Sequence, residues 1–215
     1  MTGQDAYSDF VLKHSNRMAP PLVPELQLRL AYHAHDIFQD AHTFVHGGLG
    51  SLPYWAFAWP GGQALARHIL DHPELVRGRR VLDLGAGSAI AGLAAMRAGA
   101  QSLTAADVDP FAAAAAALNG EANGIAVTAT TDDLLGADTA FDLVIVGDLV
   151  YEPDLQDRVG SFIASHHARG IPILYGDRTT ARRPPGNFRL LADHEAPLTP
   201  AMDLDVIERA RVWQL

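Results

Sequence analysis

The chain has 215 residues, 48% of them hydrophobic, which suffices for one sizeable α/β domain with a short extension but not for a nucleotide domain plus a full substrate domain. A formal charge of −9 and a pI near 5.4 argue against a broad nucleic-acid surface, which needs a basic face, and the lack of cysteine excludes disulfides, thiolate metal sites and cysteine nucleophiles. No stretch reaches the roughly 18 consecutive apolar residues of a membrane span and the first residues carry no signal pattern, so a soluble cytoplasmic protein is expected, with neither nucleic acid nor membrane as partner.

Residues 1–49 read as an N-terminal extension, helical or irregular, with a short helix around Tyr7 to His14. Pro20, Pro21 and Pro24 then impose an extended or turning segment, and Leu26, Leu28 and Leu30, followed by Ala31 and Tyr32, have the alternation of a strand. His33, His35, Asp36, His42 and His46 come next and invite a metal reading, since imidazoles are common ligands. A strand would send His33 and His35 to opposite faces, and no His-x-x-x-His pair on a helix is evident. Solvated or core histidines are therefore expected, and no metal. Lys13 is the only lysine among 16 basic residues, which compositional bias in an alanine-rich chain explains better than selection against self-modification.

Between Leu52 and Gln63 the aromatics Tyr54, Trp55, Phe57 and Trp59 are crowded among Pro53 and Pro60. Large rings are costly to leave in water, so this stretch either plugs the end of the core or forms a lid over a ligand pocket. A helix from Gln63 to Leu70 follows.

Val81-Leu82-Asp83-Leu84-Gly85-Ala86-Gly87-Ser88 is a short apolar strand running into a Gly-Ala-Gly turn, followed by a helix from about Ala89 to Ala98 and a second strand, Leu103 to Asp109. Together they make half of a nucleotide-binding βαβ unit, in which glycines without a Cβ let the backbone approach a ligand. A dinucleotide fingerprint wants a third glycine where Ile90 stands, with a pyrophosphate on the helix N-terminus. Asp83, two residues before the turn, would repel a pyrophosphate and suit an ammonium group, while Asp107 at the end of the second strand is placed to accept from ribose hydroxyls. An amino-acid cation joined to an adenosine, as in S-adenosylmethionine, fits both. A nicotinamide site and a plain packing unit are the alternatives.

Pro110 opens a helix from Phe111 to Asn123, and Ala126 to Thr130 is a third strand. Asp132 and Asp133 follow it, one of them placed to accept from an adenine amino group or both simply solvated. Phe141 to Gly147, almost wholly apolar, reads as a central parallel strand buried on both faces, and it ends in Gly147-Asp148-Leu149-Val150-Tyr151. A helix from Asp154 to Ala168 leads to a strand at Ile171 to Gly176, and the segments Phe188 to Asp193 and Glu208 to Gln214 alternate as an antiparallel hairpin at one sheet edge. The alternation of strand and helix predicts an α/β fold with a doubly wound, mostly parallel, seven-stranded Rossmann-like sheet.

The Val81 to Gly87 motif, the acidic strand end at Asp107 and Asp148-Leu149-Val150-Tyr151 resemble the seven-strand (class I) S-adenosylmethionine-dependent methyltransferases. Within them, Trp59-Pro60-Gly61-Gly62-Gln63-Ala64-Leu65 together with Gly147 to Tyr151 looks like the lysine methyltransferases of the electron transfer flavoprotein β subunit, here as a bacterial member. The resemblance covers residues 50–215 and implies a cytoplasmic protein-lysine N-methyltransferase acting on that subunit, or on another protein such as a ribosomal one; a non-catalytic cofactor-binding module of the same fold is the alternative. It implies that Asp83, Gly85 and Gly87, with Ala86 between them, line the methionine end of the cofactor and that Asp107, with Val108 beside it, serves the ribose. Trp59 and Gln63 would flank the cofactor, Asp132 and Asp133 would lie near the adenine, and Asp148 and Tyr151 would hold the acceptor lysine.

Overall fold

The parallel neighbours β3 (Arg80–Leu84) and β6 (Leu143–Gly147) send alternate residues to opposite faces, and both faces are buried. Val81, Leu143 and Ile145 join one core cluster, while Leu82, Leu84, Val144 and Val146 join another on the far side. Burial on both faces is what makes such strands near-continuous apolar runs.

The computed structural model describes residues 3–31, 37, 53–137, 140–150, 153–178, 186–197 and 207–215. The other strands are β1 (Asn16–Met18), β2 (Leu28–Leu30), β4 (Ser102–Ala106), β5 (Thr128–Thr130), β7 (Ile173–Arg178), β8 (Arg189–Pro197) and β9 (Ile207–Gln214). The described helices are α1 (Gly3–His14), α2 (Pro60–Asp71), α3 (Ile90–Arg97), α4 (Pro110–Asn123) and α5 (Pro153–Ala168). Seven strands form one sheet in the order β5-β4-β3-β6-β7-β9-β8. The first five are mutually parallel, and β9 enters antiparallel to both β7 and β8. The expected doubly wound sheet and edge hairpin are thus present, with β8 as the outermost strand. The sheet order reverses beside β3, so β3, β4 and β6 present their carboxyl ends along one crevice, where open α/β sheets bind ligands.

Local outcomes differ from the sequence reading. The strand expected from Leu26 is confined to Leu28–Leu30 and pairs with β1 as a separate two-stranded sheet, because Leu26 donates its N–H back to Val23 and the Gln27 backbone is taken by the Asn123 side chain. Helix α2 starts at Pro60, three residues before the expected Gln63, because proline suits a first turn and Asp148 accepts the next two N–H groups. Strand β7 runs on to Arg178, carrying a guanidinium to the crevice.

The extension packs on the sheet's helical layer. Tyr7 and Phe10 of α1 meet Phe111 of α4 at ring-centroid distances of 5.0 and 4.8 Å, over a cluster that includes the buried Trp55 and Phe57. The expected domain boundary at residue 49 and the histidine-rich stretch His33, His35, Asp36, His42 and His46 lie outside the described residues. Among the described residues no group of three or more His, Asp or Glu gathers to hold a metal, and no described helix is long and apolar enough to cross a membrane.

Candidate active site

A cavity of about 280 Å³ opens along the crevice. Its floor is the turn after β3. Gly85 and Gly87 have φ of +65° and +51°, and Gly85 and Ala86 both donate their N–H groups to the Ala106 carbonyl at the end of β4. A Cβ on Gly85 would strike the Leu149 side chain, so glycine is required here both by the backbone conformation and by the packing. Gly92, rather than residue 90, fills the place of the third glycine in physical terms: a Cβ there would lie 2.6 Å from Leu103 and 2.8 Å from Asp83, so its absence lets α3 close on β3 and β4.

The acidic residues divide by environment. Asp83 is buried, only 3% exposed, and its Oδ2 accepts the Gly92 N–H at 2.9 Å. Burial pushes its carboxyl up to about 7, against the pull of that N–H. Asp107 is half-buried: its Oδ2 accepts the Gly87 N–H at 2.9 Å and its Oδ1 the Asp109 N–H at 3.0 Å, while burial raises its pKa. Each carboxylate oxygen has a further lone pair, so these bonds fix Asp107 without exhausting it. Asp109, which the sequence reading did not single out, lines the same cavity and caps α4 by accepting the Phe111 N–H at 2.9 Å. Burial pushes Asp109 up to about 6. The Asp-Pro pair at the start of α4 was the available signal for it.

Val108 lines the cavity and is 65% exposed, an apolar surface next to the Asp107 carboxylate. On the far wall Asp133 is paired with Arg158 of α5, which holds its carboxyl below the usual range, and its Oδ1 accepts the Leu135 N–H. Asp132 accepts from the Thr130 hydroxyl at 2.8 Å. Both line the cavity.

The near wall is the aromatic stretch. Tyr54, Trp55, Phe57 and Trp59 all line the cavity, and Trp55 and Phe57 are also part of the buried cluster beneath α1, so one segment both plugs the core and walls the pocket. The Trp59 indole donates to the Tyr54 carbonyl at 2.9 Å, and the Arg178 guanidinium lies 5.9 Å from its ring centroid. Gln63 is corrected. It is fully buried and absent from the lining; its amide nitrogen donates to the carbonyls of Ala58 and Pro197 and its oxygen accepts the Leu22 N–H. With those groups engaged it joins the extension, the aromatic stretch and β8 instead of flanking a cofactor.

Asp148 sits at the end of β6 with φ of +49°, a conformation aspartate tolerates better than most residues. Its Oδ2 accepts from the N–H groups of Gly61 at 2.6 Å and Gly62 at 3.1 Å, in the first turn of α2. A Cβ on Gly61 would lie 2.7 Å from both Asp148 oxygens and from the Gly176 carbonyl, so the helix start touches β6 and β7 only because no side chain intervenes. The other oxygen, Oδ1, is buried and has no hydrogen-bond partner among the described residues. Burial pushes the carboxyl up to about 6, while the Gly62 and Gly61 N–H groups, the Arg178 charge and the Arg178 backbone N–H pull the other way. A buried carboxylate oxygen without a donor is a poised acceptor, and a cationic or N–H-bearing group is what it would take. Tyr151 lies outside the described residues.

Asp83, Asp107, Asp109, Asp132, Asp133 and Asp148 thus face one cavity against the two arginines Arg158 and Arg178. That balance suits a ligand carrying positive charge and a ribose, and it is poorly suited to a pyrophosphate. S-adenosylmethionine meets the description: Gly85 to Gly87 and Asp83 would hold its amino-acid end, Asp107 its ribose, and Val108 its adenine side.

Comparison with known proteins points to the same cofactor. Residues 65–152 match the family described as Ribosomal protein L11 methyltransferase (PrmA). The chain is 39% identical over 172 residues to the electron transfer flavoprotein beta subunit lysine methyltransferase of Xenopus laevis, covering 78% of this chain and 68% of that protein. It is 41% identical over 190 residues to the Danio rerio protein of the same name, covering 86% and 72%. Among solved structures, a 16S rRNA methyltransferase of T. thermophilus in complex with AdoMet and guanosine superposes with a TM-score of 0.53 at 22% identity, over 80% of this chain and 44% of that one, a likeness of fold alone. The chain belongs to the family of the electron transfer flavoprotein beta subunit lysine methyltransferases.

Proposed function

We propose that this protein is a protein-lysine N-methyltransferase that transfers the methyl group of S-adenosylmethionine to lysine side chains of the electron transfer flavoprotein β subunit. The observation that carries the reading is Asp148, which lines the cavity that holds Asp107 and the Gly85–Gly87 turn: one carboxylate oxygen is fixed by two backbone N–H groups, and the other is buried without a hydrogen-bond partner among the described residues. The names of the relatives support the substrate.

S-adenosylmethionine, when bound, supplies a sulfonium methyl that is already activated. The protein's residues then have to aim a neutral amine and exclude water. A lysine ammonium of ordinary pKa near ~10.4 is drawn to the Asp148 carboxylate, which captures and orients it. Carboxylate attraction alone would favour the charged amine, and two features oppose it: the desolvating wall of Tyr54, Phe57 and Trp59, and the positive charge of Arg178 in the same lining. Tyr151, three positions after Asp148, is assigned with it to the acceptor side.

The test is incubation of the protein with tritiated S-adenosylmethionine and either purified electron transfer flavoprotein or lysate from a strain lacking the protein, followed by mass spectrometry of labelled bands. Label on lysines of the β subunit is the expected result. Label confined to a ribosomal protein would replace the substrate, and tight cofactor binding with no labelled product would make the fold a binding module.

A further inference from the structure

We infer that Asn119 is a positioning residue through which the N-terminal hairpin holds the cofactor turn in its strained, binding-ready shape. Asn119 lies inside α4, where asparagine is a mediocre helix former, and it is fully buried. Its polar atoms reach away from the helix in two directions. Oδ1 accepts the backbone N–H of Arg29, in β2, at 2.6 Å, and Nδ2 donates to the Ser88 carbonyl at 2.9 Å. One helical turn later Asn123 repeats the grip on the extension: its Oδ1 accepts the Gln27 N–H at 2.9 Å and its Nδ2 donates to the Gln27 carbonyl at 2.7 Å. The hairpin is therefore held in register on α4 by backbone groups that its own two-stranded sheet leaves available.

The Ser88 carbonyl is not an arbitrary acceptor. The next residue, Ala89, has φ 59° and ψ 27°, the left-handed conformation that a Cβ disfavours, and it is the residue from which α3 begins. The preceding residue, Gly87, presents its N–H to Asp107. Strain of this kind persists only when its surroundings over-determine it. Asn119 supplies that constraint: by fixing the carbonyl at Ser88 it sets the peptide entering Ala89, and hence the direction of the Gly87 amide and the angle at which α3 leaves the turn. The line of contact runs from β2 through Asn119 and Ser88 to Gly87 and Asp107, so residues 16–31 support the nucleotide turn, a role that no motif in the extension reveals.

The affinity readout rests on the S-adenosylmethionine reading of the site; the exchange readout does not. Asn119→Ala should weaken binding of S-adenosylhomocysteine, measured by isothermal titration, by about tenfold, the scale of one buried hydrogen bond lost. It should also speed amide hydrogen exchange at Gly87 in the ligand-free protein. Adding Ala89→Gly, which removes the steric cost of the left-handed conformation, should recover most of the lost affinity in the Asn119→Ala background and change little in the wild type. A merely structural asparagine would lower the melting temperature while leaving affinity and Gly87 exchange unchanged, and would show no recovery from Ala89→Gly; that result overturns the inference. Should Asn119→Ala give no soluble protein, Asn119→Leu keeps about the same side-chain volume while deleting both polar groups, and wild-type affinity and exchange in that variant would overturn it equally. A wild type that binds no adenosylhomocysteine refutes the cofactor reading, and Gly87 exchange still decides the role of Asn119.

Discussion

Asp148 and Gly61, 87 positions apart in the chain, meet at 2.6 Å from carboxylate oxygen to backbone nitrogen. The contact gives one side chain two tasks. One oxygen of Asp148 caps α2 by accepting from Gly61 and Gly62, and the other is buried without a hydrogen-bond partner among the described residues, in a side chain that lines the site. The Trp-Pro-Gly-Gly segment and the Gly-Asp end of β6 are thus one device, in which the positive end of a helix steadies a carboxylate that burial would otherwise neutralise.

Gly61→Ala tests that device. The added methyl would lie 2.7 Å from both Asp148 oxygens and the Gly176 carbonyl; the carbonyl is backbone, and the carboxylate can move aside only by giving up its bonds to Gly61 and Gly62. Forcing it in should cost about 1–3 kcal/mol of stability in urea titration, the usual range for overpacking, and should depress methyl transfer more than adenosylhomocysteine affinity. Equal loss of both would place Gly61 with the cofactor instead.

Asp107→Ala should weaken the cofactor by roughly 1.5–3 kcal/mol for each charge-assisted hydrogen bond lost. Asp107 also holds the N–H groups of Gly87 and Asp109, so hydrogen exchange at both should quicken in the ligand-free variant. Titration of the wild type with adenosylhomocysteine and with NAD names the cofactor; a preference for NAD would contradict the six-aspartate lining argument.

Stability of the ligand-free protein should depend on pH in an unusual direction. A carboxyl whose pKa is higher folded than unfolded binds its proton better in the native state, so its contribution is complete below the ordinary value of 3.8 and is lost as pH rises through the folded value. For Asp109 and Asp148 that loss runs from the ordinary value up to about 6, and for Asp83 up to about 7, and levels off above. The melting temperature should therefore decline between about pH 4 and 7, offset in part by His68, whose burial lowers its imidazole to about 4, and Asp83→Asn should flatten the upper part of that decline. A wild-type melting temperature that does not change over this range would show that these carboxyls are not held as described.

Much of this arrangement was legible in the sequence because it depends on local pattern. Apolar runs fixed the buried strands, glycines marked the turn at Gly85 to Gly87, and acidic residues at strand ends located Asp107 and Asp148. Contacts between distant segments were not legible. Gln63 sits in the motif beside the aromatic stretch, yet its amide is spent on Leu22, Ala58 and Pro197, partners that only the folded chain brings together. Arg178 enters the site because β7 continues past the point where apolar residues stop, and charged strand ends give no periodic signal. Asn119 was hidden inside an alanine-rich helix, where a single asparagine looks like surface.

The most direct test of the central claim, that Asp148 aims the acceptor lysine beside a bound S-adenosylmethionine, is the transfer rate of Asp148→Asn on the electron transfer flavoprotein β subunit alongside its adenosylhomocysteine affinity. Asparagine caps a helix about as well as aspartate, so fold and cofactor binding should stay near wild type. It lacks the charge that captures an ammonium, so transfer should fall by ~10²-fold or more, as when a positioning group is lost. A soluble, cofactor-binding Asp148→Asn protein that transfers methyl groups at close to the wild-type rate would contradict the account and leave Tyr151 to orient the amine.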